Sequence, residues 1–331
     1  MHYAALDGRK VKCGLCPHNC TIAEGKRGIC GVRKNIAGKL YSLIYGRISS
    51  AHPDPIEKKP LYNFHPGSTI LSFGTLGCNL RCLHCQNHTI SQAREADFEM
   101  LTPLKIAELA PMARESGSAG IAWTYNEPTI WHEFTFDGCR EAKKHGLYTV
   151  YVSNGFINED PLREVAPYLD AVNVDVKAFT EKFYKEISGA RLQPVLDACK
   201  LYRELKVHLE LTYLIIPTHN DSASELEQFC RWVAEDLGPD VPVHFSRFHP
   251  DYKLNDVGPT PMKKIEEACI IGKKAGLDFV YGGNVPHGDY ENTRCPKCNE
   301  LLIERHGFFA ELRGLRGGKC SNCGRNIPIK G

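Results

Sequence analysis

Eleven of the fifteen cysteines in this chain of 331 residues fall into three tight groups, and thiols so closely spaced point to metal ligation. The middle group, in GCNLRCLHCQN, is Cys78, Cys82 and Cys85 at CxxxCxxC spacing. A structural zinc or an electron-transfer cluster is closed by four protein ligands, so three thiolates leave one metal corner open to substrate or water. His84 or His88 as a fourth ligand would make the same site purely structural. Near the C-terminus, CPKC and CSNC bring Cys295, Cys298, Cys320 and Cys323 to the spacing of a zinc ribbon, a closed tetrahedral thiolate site. At the N-terminus, CGLCPHNC and the next cysteine supply Cys13, Cys16, Cys20 and Cys30. That spacing is not a standard zinc-finger one, and zinc and a second iron–sulfur cluster both stand as its occupant, with His18 a bystander. A disulfide framework suits small exported chains, and MHYAALDGRKVKCG has no apolar signal region.

A loop that carries chemistry needs elements to position it. From about residue 68, short apolar strands alternate with longer amphipathic stretches, the pattern of parallel βα units. Candidate strands are 68–74, 118–123, 146–153, 170–177, 207–216, 241–248 and 278–283, most of them apolar on both faces as buried parallel strands are. In TPLKIAELAPMARES, Thr102 is expected to cap a helix and Pro103 to be its first residue. Ile106, Leu109, Ala110 and Ala113 form its apolar stripe, and Pro111 should kink it. Further helices are expected over 129–145, 194–205, 222–235 and 261–275. The predicted fold is α/β, a partial or full TIM-like (β/α) barrel, with a doubly wound open sheet as the alternative; either gathers chemistry at the C-terminal ends of the strands. Both chain ends break the rhythm, which divides the chain into an N-terminal Cys-rich metal-binding module (1–50), the barrel (51–290) and a zinc-ribbon-like module (291–331).

The CxxxCxxC loop after the first predicted parallel strand resembles that of the radical S-adenosylmethionine (SAM) superfamily. The resemblance implies a 4Fe–4S cluster on Cys78, Cys82 and Cys85, with SAM chelating the fourth iron and cleaved by one electron to methionine and a 5′-deoxyadenosyl radical. The later strand ends are similar to those of pyruvate formate-lyase activating enzyme and its relatives. TYNEPT looks like that family's Gly-Gly-Glu-Pro loop with Tyr125 and Asn126 in place of the glycines, which makes Glu127 a partner of the SAM ammonium. A helix first-turn carboxylate before Pro128 is the structural alternative for Glu127. VSNGF is similar to the family's Thr-Asn-Gly and makes Ser153 and Asn154 SAM contacts; Asp175 and Lys177 in NVDVKAF share one strand face and touch SAM or staple the barrel interior. His249 in SRFHPDY matches a SAM-facing histidine. The whole layout resembles the radical SAM component of the AmmeMemoRadiSam system, which implies Memo-type and AMMECR-type proteins as partners besides SAM and a reducing electron donor.

The charge balance, 41 Lys and Arg against 39 Asp and Glu, gives no footprint for nucleic acid or an anionic membrane surface. With no apolar stretch of spanning length, the expectation is a soluble, cytoplasmic protein, and the resemblance implies an oxidoreductase-type enzyme that abstracts hydrogen from a metabolite or peptide. An activator of a glycyl-radical enzyme is the first alternative. A metal-stapled protein that binds nucleic acid or another protein, with all three cysteine groups structural, is the alternative of another class.

Overall fold

The computed structural model describes residues 2–92, 95–286 and 288–331. An eight-stranded sheet carries the fold: β1 (Ser50–Pro55), β2 (Thr69–Gly74), β3 (Gly120–Trp123), β4 (Tyr148–Ser153), β5 (Ala171–Asp175), β6 (His208–Ile215), β7 (Val243–Arg247) and β8 (Val280–Gly283). Its spatial order is the sequence order, and β2 to β8 are parallel while β1 pairs antiparallel with β2, Ser50 opposite Gly74. Helices α1 (Leu109–Glu115), α2 (His132–Lys144), α3 (Glu159–Val165), α4 (Gln193–Glu204), α5 (Ala223–Trp232) and α6 (Met262–Lys274) fill the connections from β2 onward. The architecture is a partial (β/α) barrel: among the described residues the sheet ends at β8 and β1 and does not close. Strands such as β3 are buried on both faces, as helices outside and side chains inside require.

All seven predicted parallel strands are present. The helix predicted from Thr102 is not: Thr102–Pro103 is a short strand paired with Arg47–Ile48, and the α-helix begins at Leu109. A tertiary pairing overrides the local capping signal. Pro111 then lies in the first turn of α1, where its missing N–H has no intrahelical partner to lose, and no kink is needed.

The two Cys-rich ends sit on opposite ends of the barrel. The N-terminal module is a three-stranded sheet (Tyr3–Leu6, Lys10–Cys13, Thr21–Ile22) and a hairpin (Arg33–Ile36 with Lys39–Ser42). It packs at the strand C-termini: Asn158, after β4, donates to the carbonyls of Gly14 (2.7 Å, Nδ2) and Leu15 (3.0 Å, N). The buried Arg33 reaches α2, where it grips Glu133 and the Ile130 carbonyl.

The C-terminal module covers the other end, the floor. Its fully buried Arg305 donates to the Tyr62 carbonyl (2.7 Å) and Thr293 Oγ1 (2.7 Å), with its guanidinium 4.1 Å from the Tyr62 ring centre. Glu210, near the start of β6, accepts the Tyr62 and Asn63 backbone amides (3.0 and 2.7 Å) and faces His208 and His244 (2.9 and 2.7 Å). The chain's tail is sewn to the same segment, Lys330 donating to Asn63 and accepting from His65 (3.0 and 2.6 Å). Among the described residues no helix is long and apolar enough to cross a membrane.

Candidate active site and cysteine clusters

The loop after β2 turns Cys78, Cys82 and Cys85 into one cavity of about 510 Å³ at the C-terminal mouth of the barrel. Its shape is over-determined by hydrogen bonds. Asn79 Nδ2 donates to the Phe156 carbonyl (2.7 Å), Asn154 Nδ2 donates to Asn79 Oδ1 (2.9 Å) and lies 3.6 Å from Cys78 Sγ. Asn126 clasps the loop from β3, accepting from Thr75 N (3.1 Å) and donating to Gly77 O (2.8 Å).

Burial pushes the Cys78 thiol well up, and Glu127 and Cys82 push it further; burial also raises Cys82, with Lys177 opposing. Thiols placed so ionise only against a cation of their own, and as soft ligands they suit iron–sulfur chemistry. The donor set fits a cluster that leaves one iron to the cavity. The cavity wall also carries Ser153, Asn154, Asp175 and Lys177, the last two ion-paired at 2.7 Å. Burial works against the Lys177 charge, and Asp175 and the Cys82 thiol outweigh it and raise its pKa.

Glu127 is placed differently from the SAM-facing position the sequence suggested. It lies behind the wall, fully buried, and its two oxygens accept from Thr129 N (2.9 Å), Ser153 Oγ (2.9 and 3.2 Å) and Asn154 N (2.8 Å). Burial raises its pKa against those donors. Its geometry is that of a residue holding Ser153 and Asn154 in place and capping the turn at Pro128. His249 stands exposed outside the cavity wall, Nδ1 3.4 Å from Gln86 Nε2.

Tyr125 occupies a glycine position of the related loop and adopts the glycine-like backbone, φ 68°. Its hydroxyl donates to Asp54 Oδ2 (2.5 Å), and the buried Lys59 ammonium, which also grips Asp54 (2.6 Å), lies 4.7 Å from its ring centre. The sequence reading missed Asp54 on the edge strand β1, which has no apolar run to betray it, and Lys59 in the turn that follows. It also passed over His84 except as a ligand. His84 is buried in the cavity wall with Nδ1 unpartnered among the described residues, and burial lowers its pKa to about 3.

The terminal cysteines differ from one another. Cys295 and Cys323 sulfurs are 3.6 Å apart and Cys298 and Cys320 are 3.5 Å apart, all four within 4.8 Å, a ready metal site. Cys13, Cys16, Cys20 and Cys30 line one cavity with Leu15, Ile22 and Arg33, more widely spread. A third set was invisible in sequence: His2 and His132 Nε2 both lie 2.7 Å from Glu164 Oε2.

A model of the radical SAM superfamily matches residues 73–233. The chain is 44% identical over 333 residues to an uncharacterized protein of Methanocaldococcus jannaschii, covering 99% of this chain and 98% of that one. It is 26% identical over 235 residues to the pyruvate formate-lyase 1-activating enzyme of Escherichia coli, covering 65% of this chain and 93% of the enzyme.

The chain belongs to the radical SAM superfamily. Membership implies a 4Fe–4S cluster, SAM and an electron donor. Among solved structures, a radical SAM methyltransferase from Sphaerobacter thermophilus shares the fold at TM-score 0.51 and 18% identity, covering 66% of this chain and 67% of that one. SuiB of Streptococcus suis, solved bound to S-adenosylmethionine, does so at TM-score 0.52 and 11% identity, covering 71% and 53%.

Proposed function

We propose that this radical SAM protein holds its cluster on Cys78, Cys82 and Cys85 and abstracts hydrogen from a metabolite or peptide that enters the barrel mouth. The observation that carries the reading is the single cavity in which those three thiols meet Asn154, Asp175 and Lys177 from the ends of successive strands. When bound, the cluster supplies the electron that cleaves the SAM sulfonium, and the 5′-deoxyadenosyl radical so released takes the hydrogen.

The chain's own residues bind and aim. Asn154, whose side chain already reaches the Cys78 sulfur, and Ser153 offer polar contacts to the amino-acid end of SAM. Glu127 acts behind them as a positioning residue. The Asp175–Lys177 pair sets one anionic and one cationic group at fixed spacing at the end of the neighbouring strand. His249 serves as a rim contact once ligand fills the mouth. Cys295, Cys298, Cys320 and Cys323 hold zinc and staple the floor.

We place the protein in the cytoplasm as the radical SAM component of an AmmeMemoRadiSam system, with Memo-type and AMMECR-type proteins as partners. The 26% identity across 93% of the E. coli activating enzyme favours a second reading, in which the hydrogen comes from a backbone glycine of a glycyl-radical enzyme. Anaerobically reconstituted protein, given dithionite and SAM, should yield 5′-deoxyadenosine and methionine; a colourless protein containing only zinc would overturn the reading. Deuterium followed from labelled candidates into 5′-deoxyadenosine then separates metabolite, peptide and glycine.

A further inference from the structure

The molecule contains its own yardstick for what a set of cysteines is built to hold. Around one tetrahedral ion, metal–sulfur bonds of about 2.3 Å set the sulfurs about 3.8 Å apart. The C-terminal four match that, with pairs at 3.5 and 3.6 Å. A 4Fe–4S cluster gives each thiolate a separate iron and spreads the sulfurs wider. Cys78, Cys82 and Cys85, whose cluster superfamily membership implies, are, among the described residues, too spread for all three sulfurs to lie within 4.8 Å of one another. So are Cys13, Cys16, Cys20 and Cys30: among the described residues no three of these sulfurs fall within 4.8 Å of one another, although all four line one cavity.

The N-terminal cavity also abuts the central loop. A Cβ on Gly77, the residue before Cys78, would lie 2.7 Å from the Cys30 carbonyl oxygen and 2.6 Å from Val32. His18, between Cys16 and Cys20, places Nε2 2.8 Å from the Asn79 carbonyl and its ring 5.0 Å from that of Phe156. Arg81 closes the seam on the Ile29 carbonyl. Four thiolates leave no iron corner for SAM or substrate, so an occupant of this site does no bond chemistry. Cys16 and Cys20 are half-buried and Ile29 is 44% exposed, so the site also approaches the outer surface.

We propose that Cys13, Cys16, Cys20 and Cys30 hold a second 4Fe–4S cluster, closed by four thiolates, that relays single electrons to the central site. This rests on the reading that Cys78, Cys82 and Cys85 hold the SAM-binding cluster. A reduced donor protein of the ferredoxin or flavodoxin class gives one electron to the N-terminal cluster, which goes from the 2+ to the 1+ state while the donor is oxidised. That electron passes to the central cluster, returning the N-terminal one to 2+, and is the electron that SAM cleavage consumes.

The test uses the full chain, reconstituted anaerobically with iron and sulfide. The variant combining Cys78→Ala, Cys82→Ala and Cys85→Ala should keep about half the wild-type iron and a 4Fe–4S Mössbauer signature. Zinc or no metal at the N-terminal cysteines overturns the proposal, and the wild-type iron count, two clusters or one, decides it even if that variant misfolds. Wild-type protein that forms no 5′-deoxyadenosine with dithionite fails the central reading instead, whatever the N-terminal cysteines hold. In Cys16→Ser, reduction of the central cluster by the ferredoxin- or flavodoxin-class donor should be lost while photoreduction by a small deazaflavin persists. Unchanged reduction by the donor protein overturns the relay.

Discussion

Four cysteines at one end of the barrel and four at the other each make a closed thiolate set, yet the surroundings give them different work. The C-terminal four are drawn within 4.8 Å, and their module reaches the barrel through Arg305 and the tail, at residues that only build the floor. The N-terminal four are spread around a cavity whose wall leans on Gly77 and Asn79, inside the loop that carries the central thiols. A metal module is thus defined less by its ligand list than by which loop its backbone touches.

The sharpest way to break that contrast is to remove one cysteine from the central loop, on which the N-terminal module leans, and one from the C-terminal site. Cys82→Ser should abolish 5′-deoxyadenosine formation and strip the central iron while leaving the C-terminal metal, read by metal analysis. Cys320→Ser should do the converse, keeping SAM cleavage in the folded fraction and lowering stability to denaturant by about 4 kcal/mol. Equal loss of SAM cleavage in both would erase the distinction between staple and site.

The floor should also answer to acid. Burial alone would raise the pKa of Glu210, but hydrogen bonds from His208 and His244 outweigh it and lower it from 4.5 to about 2. A carboxyl depressed in the fold stabilises fully above its unfolded pKa, and that stability is lost as pH falls from 4.5 through about 2. The expected loss is about 3 kcal/mol in the iron-free chain, and Glu210→Gln should flatten that part of the pH profile.

Further substitutions compare the mouth with the floor. Gly77→Ala, at φ 90° with Cβ neighbours at 2.6 and 2.7 Å, should cost about 3 kcal/mol, whereas Gly317→Ala, at φ 55° with nothing within 4 Å, should cost about 1 kcal/mol. Similar melting shifts for the two would mean the N-terminal module is only loosely seated. Glu127→Ala should weaken SAM binding about tenfold, roughly 1.4 kcal/mol, without releasing iron, since it frees Ser153 and Asn154 but no thiolate. Calorimetric titration with SAM reads this directly, and unchanged affinity would remove Glu127 from the site altogether.

Much of this was legible in the sequence because it is local. CxxxCxxC after an apolar strand, and βα alternation with buried parallel strands, are short-range patterns, and the seven strands appear within two residues of their predicted bounds at each end. What was illegible depends on long-range placement. Thr102 reads as a cap until Arg47–Ile48 pairs with it, and Glu127 reads as a ligand until Thr129, Ser153 and Asn154 fill both its oxygens. Lys59 reaches the cavity wall from the turn after the edge strand that carries its partner Asp54, a strand without apolar periodicity, and His2 meets His132 only through the tertiary fold. Which way a polar side chain turns at a strand end is decided by neighbours the local pattern does not contain.

The tail that closes the floor has a consequence for the order of assembly. Each barrel strand from β2 onward pairs with the next strand in sequence, so the sheet can grow stepwise as the chain is made. The pairing of residue 63 with residue 330 instead closes a loop of about four-fifths of the chain, the kind of non-local contact that forms slowly. The N-terminal and central cysteines, all within the first 85 residues, are therefore synthesised long before the floor can be sealed.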